Sequence, residues 1–478
     1  MDMTFVERLS NFIWNPWLLL LFLFVGLYYS VRTGFFQLFD LKLWVKTTIG
    51  SLFHPAQKKA GGLTRFQALA TALASTIGTG SIAGVATAIF YGGPGAVFWM
   101  WLSAFLGMMT SCAEKILAVR YHEKGKGGGF YGGPMCYMEK GVGSRVLAVM
   151  FSLCCIVASL AGGNMVQANS ISTALEAAMG LDRFGVGLVV AIGTGIVIFG
   201  GIGRIGKVSE KLVPCMALLF IGGGVLVLIC NAREIPTALH RIFTGAFGTP
   251  KAALGGGLGY GIAEVMRYGV ARGVFTNEAG MGSSAMAHAA ADVKDPAEQG
   301  MWGIFEVFVA SIAVCSVTAL VILTSGVYDQ GAALAAIQNG TVRDNMLGAP
   351  LSAAAFGTVL GPLGGVLVAV CLLLFAFTSL LGWSYYGERS LSYLTGSDRL
   401  RVPYRICYMG MIVVGSVGNL SVVWQLNDIF NGLMALPNLA ALLLLSPEAL
   451  QLLRRWRETV PRQPHPARRR RQYPSRGL

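Results

Sequence analysis

The sequence predicts an all-α integral membrane protein of about eleven transmembrane helices: one extra N-terminal helix, then a 5+5 inverted repeat with two broken helices. Three observations carry this. Apolar runs recur along the whole 478-residue chain, positive charge collects in alternate loops, and a glycine-rich interruption opens each of two blocks of five spans.

Hydrophobic residues make up 54% of the chain and charged residues 13%, roughly half the charged share of a soluble domain. Mean hydropathy is +0.61. Repeated apolar stretches of roughly 20 residues, the length that crosses a bilayer, exclude a soluble multidomain enzyme. The 63 glycines suit close helix packing and unwound backbone inside a bundle. A net charge of +14 raises the question of nucleic acid, but nine arginines follow Leu453, four of them consecutive at Arg468 to Arg471. Charge gathered at one end reads as a cytoplasmic tail beside anionic membrane lipid, with no nucleic-acid partner. The nine cysteines show no CxxC or metal-ligand spacing, and Cys154, Cys155, Cys315 and Cys371 sit inside apolar runs as free, packed thiols. Glu7 and Arg8 precede the first apolar stretch without a cleavage site, so that stretch is expected to remain as a membrane helix.

The spans read, in order, as 13–31, 66–90, 96–119, 146–178, 185–202, 212–230, a long interrupted 258–291, 301–325, 350–386, 406–424 and 429–445. Loop charge sets their orientation. Arg32, Lys42, Lys46, Lys58, Lys59 and Arg65 follow the first span, and every second loop after it is basic: 115–145, 204–211 and 389–405. The loop 292–299, with Lys294 alone, breaks the series, and the intervening loops 91–95 and 326–348 hold few positive charges. The N-terminus is therefore expected outside and the C-terminus in the cytoplasm. Four regions result: 1–65, an N-terminal helix and basic loop; 66–235, the first five-helix repeat; 236–453, the second, inverted; and 454–478, a basic, disordered tail.

Gly78-Thr79-Gly80-Ser81 interrupts the second span and Gly280-Met281-Gly282-Ser283-Ser284 the seventh. One GxG alone serves helix packing equally well. Two in matched positions of inverted halves point to a secondary transporter. Unwound backbone frees N–H and C=O groups near the bilayer centre, where only a cavity or ligand makes them tolerable. Helix N-termini then favour a carboxylate, and exposed carbonyls a small cation. A zwitterionic amino acid travelling with Na⁺ meets both demands.

Longer motifs carry a family resemblance. They are Gln67-Ala-Leu-Ala-Thr-Ala-Leu-Ala74 with Gly78 to Ala88, Gly92-Gly-Pro-Gly-Ala-Val-Phe-Trp-Met-Trp101, and Gly132-Gly-Pro-Met135. Gly269 to Phe275, Asn277 to Gly282, Ala287 to Ala291, Phe375 to Glu388 and Asn431 to Asn438 continue the series. From about residue 14 to 450 the chain resembles the alanine/glycine:cation symporters, the sodium:alanine symporter family. The resemblance implies a leucine-transporter-type fold in the plasma (inner) membrane. It also implies import of alanine or glycine with Na⁺, sometimes H⁺, as coupling ion and with no cofactor. Two positions depart from the family: Ser81 stands where it usually has Asn, and Ala310 where it usually has Asp. The changes remove an amide oxygen and an intramembrane carboxylate and put sodium coupling at issue, so an H⁺-coupled or cation-independent carrier, or a non-transporting sensor, is the alternative reading.

The resemblance also implies a site. Carbonyls of Ala74 and Ile77 with hydroxyls of Thr378 and Ser379 would hold Na⁺, a hard cation that favours oxygen; alternatively the two hydroxyls only bond back to their own helix. Backbone at Thr79, Gly80 and Ser81 would take the carboxylate, while Phe275, Thr276 and Asn277 receive the ammonium and cover the side chain. Gln167 faces the same cavity or bonds a neighbouring helix, and Trp383 walls the pocket or packs. Arg272 and Glu278 flank the second interruption and are expected to pair across it. Glu114 and Glu388 are read as helix-end or gate groups, and His288 as a packed polar residue. A membrane enzyme would need a convergent nucleophile or metal set, and HExxH and GxSxG are both missing from the sequence. A channel would need a charged ring or filter repeat.

Overall fold

The computed structural model describes residues 3–52, 63–125, 129–247, 261–343, 346–418 and 421–460. The chain is helical almost throughout; the strands among the described residues form one short hairpin, Glu123–Lys124 against Phe130–Tyr131. The principal helices are α1 (Pro16–Arg32), α2 (Arg65–Thr76), α3 (Ala83–Gly92), α4 (Ala96–Arg120), α5 (Arg145–Met179), α6 (Arg183–Ile198) and α7 (Gly201–Cys230). They continue as α8 (Ile262–Asn277), α9 (Ala285–Ala289), α10 (Pro296–Thr324), α11 (Gly348–Leu360), α12 (Pro362–Thr395), α13 (Arg401–Val417), α14 (Ser421–Leu444) and α15 (Ser446–Thr459).

Among the described residues six helices are long and apolar enough to cross a membrane, seven if the bent pair of α14 and α15 counts as one span. Several other apolar segments are broken or shorter: the second span splits into α2 and α3, and the seventh into α8 and α9. The expected ninth span is also two helices. Gly361 takes φ 57 and Pro362 starts the next helix, where its fixed φ is already helical and its missing N–H costs nothing. Two stretches read as loop are helix instead: 204–211 lies within α7, and α15 carries the chain past Leu453, so the tail boundary drawn there falls inside a helix. Residues 461–478 lie outside the described residues.

Burial separates centre from rim. In α4, 67% of the apolar window is buried; in α7, 28%, with Leu218 and Ile229 turned outward as a lipid-facing surface. The second and seventh segments pack against each other and against α4, α10 and α12. At one end they are stitched together: Leu63 N–H donates to the Ala290 carbonyl (3.1 Å) and Asp292 N–H to that of Leu63 (3.0 Å). Arg65 and Glu298 pair nearby at 2.6 Å. The helix that leads into the first break starts at a full capping box, Thr64 and Gln67 each satisfying the other's backbone N–H.

Candidate functional site

The first break is short. α2 ends at Thr76, Ile77 and Gly78 leave helical geometry, and a single 3₁₀ turn over Thr79–Ser81 leads into α3. Glycine is required at two points by close approach rather than by φ. A Cβ on Gly78 would lie 2.6 Å from Ser379 Oγ, and one on Gly80 3.2 Å from both Phe275 Cδ1 and Thr276 Oγ1. The carbonyl end of α2 is met by α12. Ser379 Oγ–H reaches the carbonyls of Ala74 (3.2 Å) and Ser75 (3.1 Å), and Thr378 Oγ1–H that of Phe375 (3.0 Å). Thr378 thus bonds back to its own helix while Ser379 bonds across to the break.

The second break is held by buried charge that the sequence reading left out. After Asn277 the chain takes left-handed turns at Glu278 (φ 55), Gly280 (φ 90) and Gly282 (φ 81). The freed N–H groups of Gly280 and Gly282 donate to Glu114 Oε1 at 2.9 and 3.1 Å, and Asn438 Nδ2 joins them at 2.7 Å. Lys115 Nζ donates to Ser284 Oγ (2.7 Å) and lies 3.4 Å from both Glu114 and Glu306. Glu306 is 3.2 Å from His288 Nε2, whose Nδ1 meets Gln299 Nε2 at 2.6 Å. The Gln299 amide and the Glu306 carboxylate thus hold the two ring nitrogens of His288. Lys115, Glu114, Glu306 and His288 are all fully buried.

Glu114 is therefore an anchor for the unwound segment, not a helix-end group, and Lys115 drops out of the loop-charge count. Arg272 and Glu278 do not pair among the described residues. Ser283 Oγ–H donates to Glu278, and Arg272 lies over the Phe275 ring, 6.0 Å from its centroid. Glu388 does sit among charges near a helix end, 2.7 Å from Arg405 and 3.4 Å from Arg401.

Between the breaks lies a cavity of 20 Å³, about the room of a single water. Ser75, Thr76, Gly78 and Gly80 form one wall, Phe275, Glu278 and Met281 another, and Gly162, Gln167, Trp383, Asn427 and Asn431 close it. Gly80, Gln167, Phe275 and Trp383, all singled out in the sequence, meet here. Thr79, Ser81, Thr276 and Asn277 are buried just behind it. Thr79 N–H donates to Gln167 Oε1 (3.4 Å), and the Ser81 carbonyl accepts from Thr318 Oγ1 (2.8 Å). Thr276 Oγ1–H bonds the Arg272 carbonyl (2.7 Å), and Asn277 holds Ser311 (3.1 Å) and the Ala279 N–H (3.0 Å). Gln167 reaches the cavity because α5 contains a π turn over Ala161–Val166. That turn frees carbonyls, and Gln167 Nε2 takes that of Gly162 (3.1 Å) while Tyr408 OH takes that of Gly163 (2.9 Å). The π turn was not legible in a run of apolar residues. Asn431 opened one of the motifs without being given a role, and Asn427 fell between the tenth and eleventh spans as read.

The sequence profile of the sodium:alanine symporter family matches residues 1–470. The sodium/alanine symporter AgcS of Methanococcus maripaludis is 41% identical, covering 92% of this chain and 94% of that one. The probable sodium/glutamine symporter GlnT of Bacillus subtilis is 37% identical, over 91% of this chain and 87% of its own. Among solved structures, MhsT in complex with L-phenylalanine aligns with a TM-score of 0.55 over 83% of this chain and 99% of that one. At 14% identity, that likeness shows a shared fold. With its broken helices, central cavity and full-length relatives, the chain belongs to the sodium:alanine symporter family and is a membrane transporter, not an enzyme.

Proposed function

We propose that the protein imports a small neutral amino acid, alanine or glycine, by symport with Na⁺ across the plasma (inner) membrane. The observation that carries this is the cavity walled by both breaks, with the Ser379 hydroxyl on the Ala74 and Ser75 carbonyls beside it. The residues fit the ion. Ser379 Oγ on the Ala74 and Ser75 carbonyls brings uncharged oxygens together at the end of α2, the donor type a hard monovalent cation takes, and Thr378 Oγ1 would have to leave its bond to Phe375 to join them. Ile77 O, where the chain leaves helical geometry, would add a fifth. A cavity of 20 Å³ between Phe275 and Trp383 has to widen least for the smallest amino acids. In proteoliposomes, labelled alanine or glycine should accumulate under an inward Na⁺ gradient and fail to do so without Na⁺. Equal uptake in both conditions would favour the H⁺-coupled or cation-independent alternative.

The finer architecture belongs to the same proposal: about eleven spans, the two five-helix halves inverted, N-terminus outside and C-terminus inside. A cytoplasm-active reporter fused after Leu478 should work, and a silent fusion on stably inserted protein would reverse the orientation.

Replacing Thr378 and Ser379 together by Ala should raise the Na⁺ concentration for half-maximal uptake roughly tenfold to a hundredfold, the usual worth of a polar contact to a charged group. Saturating Na⁺ should largely restore substrate affinity. A packing defect would instead lower uptake at every Na⁺ concentration without moving the curve.

A further inference from the structure

The cavity carries one acidic side chain, Glu278, and nothing of opposite charge lines it. The charges acting on this carboxylate are Glu114 and Lys115 from α4 and Glu306 from α10. Lys115 is already bracketed by two other carboxylates, so Glu278 is the surplus acid of the group. Ser283 Oγ–H is the one hydrogen-bond donor it meets among the described residues, and Glu278 is 2% exposed. A second acceptor lines the same cavity. Asn431 Nδ2 donates to Asn427 Oδ1 (2.8 Å), which leaves Asn431 Oδ1 buried without a donor among the described residues. A buried carboxylate and a buried amide oxygen, both short of donors, are complementary to one group: a primary ammonium, with three N–H donors and a positive charge.

We propose that Glu278 and Asn431 form the receptor for the substrate's α-ammonium, so that the amino end of the zwitterion faces the second break and its carboxylate the first. This rests on the reading of the protein as an amino-acid carrier, and it moves the ammonium from Thr276 and Asn277 to the next residue and to α14. Thr276 and Asn277 spend their polar groups on the backbone and on Ser311. Glu278 lines the cavity from the C-terminal end of α8, which its left-handed φ of 55 closes.

The test uses purified full-length protein in detergent. Alanine, glycine and glutamine are first titrated against the wild type to establish which binds, with Na⁺ titrated separately by thermal shift. The variants are Glu278→Gln, which keeps shape and the bond to Ser283, and Asn431→Leu. Each should weaken binding of that amino acid roughly tenfold to a hundredfold, the usual worth of a hydrogen bond to a charged group. The response to Na⁺ alone should stay as in the wild type, because Ser379 and Ala74 are untouched. Amino-acid affinity within threefold of wild type in both variants would overturn the proposal. So would a parallel loss of the Na⁺ response, the mark of a merely structural role. If the wild type binds none of the three amino acids, or does not respond to Na⁺, the proposed substrate or coupling ion fails instead, and an amino acid that does bind carries the Glu278 comparison.

Discussion

Lys115→Met should destabilise the folded protein by about 3–5 kcal/mol, the cost of leaving buried charge without its partner. Lys115 lies between Glu114 and Glu306, beside His288, all of them fully buried. Methionine matches the stem of the side chain, so packing on α10 survives and charge alone is removed. Two carboxylates then face each other in a medium where repulsion is weakly screened. Ser284 also loses the donor at its hydroxyl, on the residue that leads into α9. The measurement is thermal unfolding and the monodisperse fraction in detergent. Adding Glu306→Gln to Lys115→Met should recover much of the loss, because one of the two stranded charges goes with it; the two sites touch, so their effects are not additive. An unchanged unfolding temperature in Lys115→Met would mean the lysine is not the counter-ion that geometry makes it.

The two breaks were legible in the sequence for a simple reason. At Gly78 and Gly80 any side chain meets α12 or α8, and at Gly280 and Gly282 the backbone is left-handed, so both stretches are written in glycine. Gly361-Pro362 uses the same vocabulary and was read through, because apolar residues on both sides supplied the length of a span. What holds the second break was harder to see. Glu114 and Gly280 are 166 positions apart, and nothing local to either names the other. The signal was Glu114-Lys115 side by side within an apolar helix: assigned to a helix end, the pair lost the functional presumption that intramembrane charge carries. Thr378 and Ser379 could be picked out as adjacent hydroxyls on one helix. Only the rotation of that helix decides that Ser379 faces the break while Thr378 bonds back to Phe375, beside Met216 at 3.6 Å.

The differing supports of the two breaks have a functional consequence. The second is pinned by three donors on one carboxylate oxygen and by the Lys115 group behind it. The first is held by uncharged groups: Ser379 on the Ala74 and Ser75 carbonyls, Thr318 on that of Ser81, Ser352 on that of Ile82, and a 3.4 Å contact from Thr79 N–H to Gln167. Charge-assisted hydrogen bonds are roughly twice as strong as neutral ones, so the α2–α3 junction is the softer of the two. A site that must widen from 20 Å³ to take a substrate has its give on that side, next to the cation ligands.

Gly80→Leu should abolish amino-acid uptake while leaving membrane insertion and monodispersity intact. The Cβ alone would sit 3.2 Å from Phe275 Cδ1 and from Thr276 Oγ1, closer than packed atoms normally approach. The rest of the side chain has only the cavity to enter, so it fills the space between Phe275 and Trp383 that the substrate needs. Overpacking of this kind costs about 1–3 kcal/mol where neighbours can yield. Here yielding means displacing Phe275, which also walls the site, so affinity falls whichever way the strain is relieved. A loss of tenfold per roughly 1.4 kcal/mol then puts binding at least one to two orders of magnitude down, with direct occlusion added. Gly84→Ala is the matched control. It lies four residues further along, in α3, and its nearest neighbour beyond the helix is Arg272 Cδ at 4.0 Å, so uptake should stay within twofold of wild type. Near-normal uptake by Gly80→Leu would take the first break out of the binding site. Equal loss in both variants would mean α3 tolerates no added bulk anywhere, and the cavity would lose its claim to explain the effect.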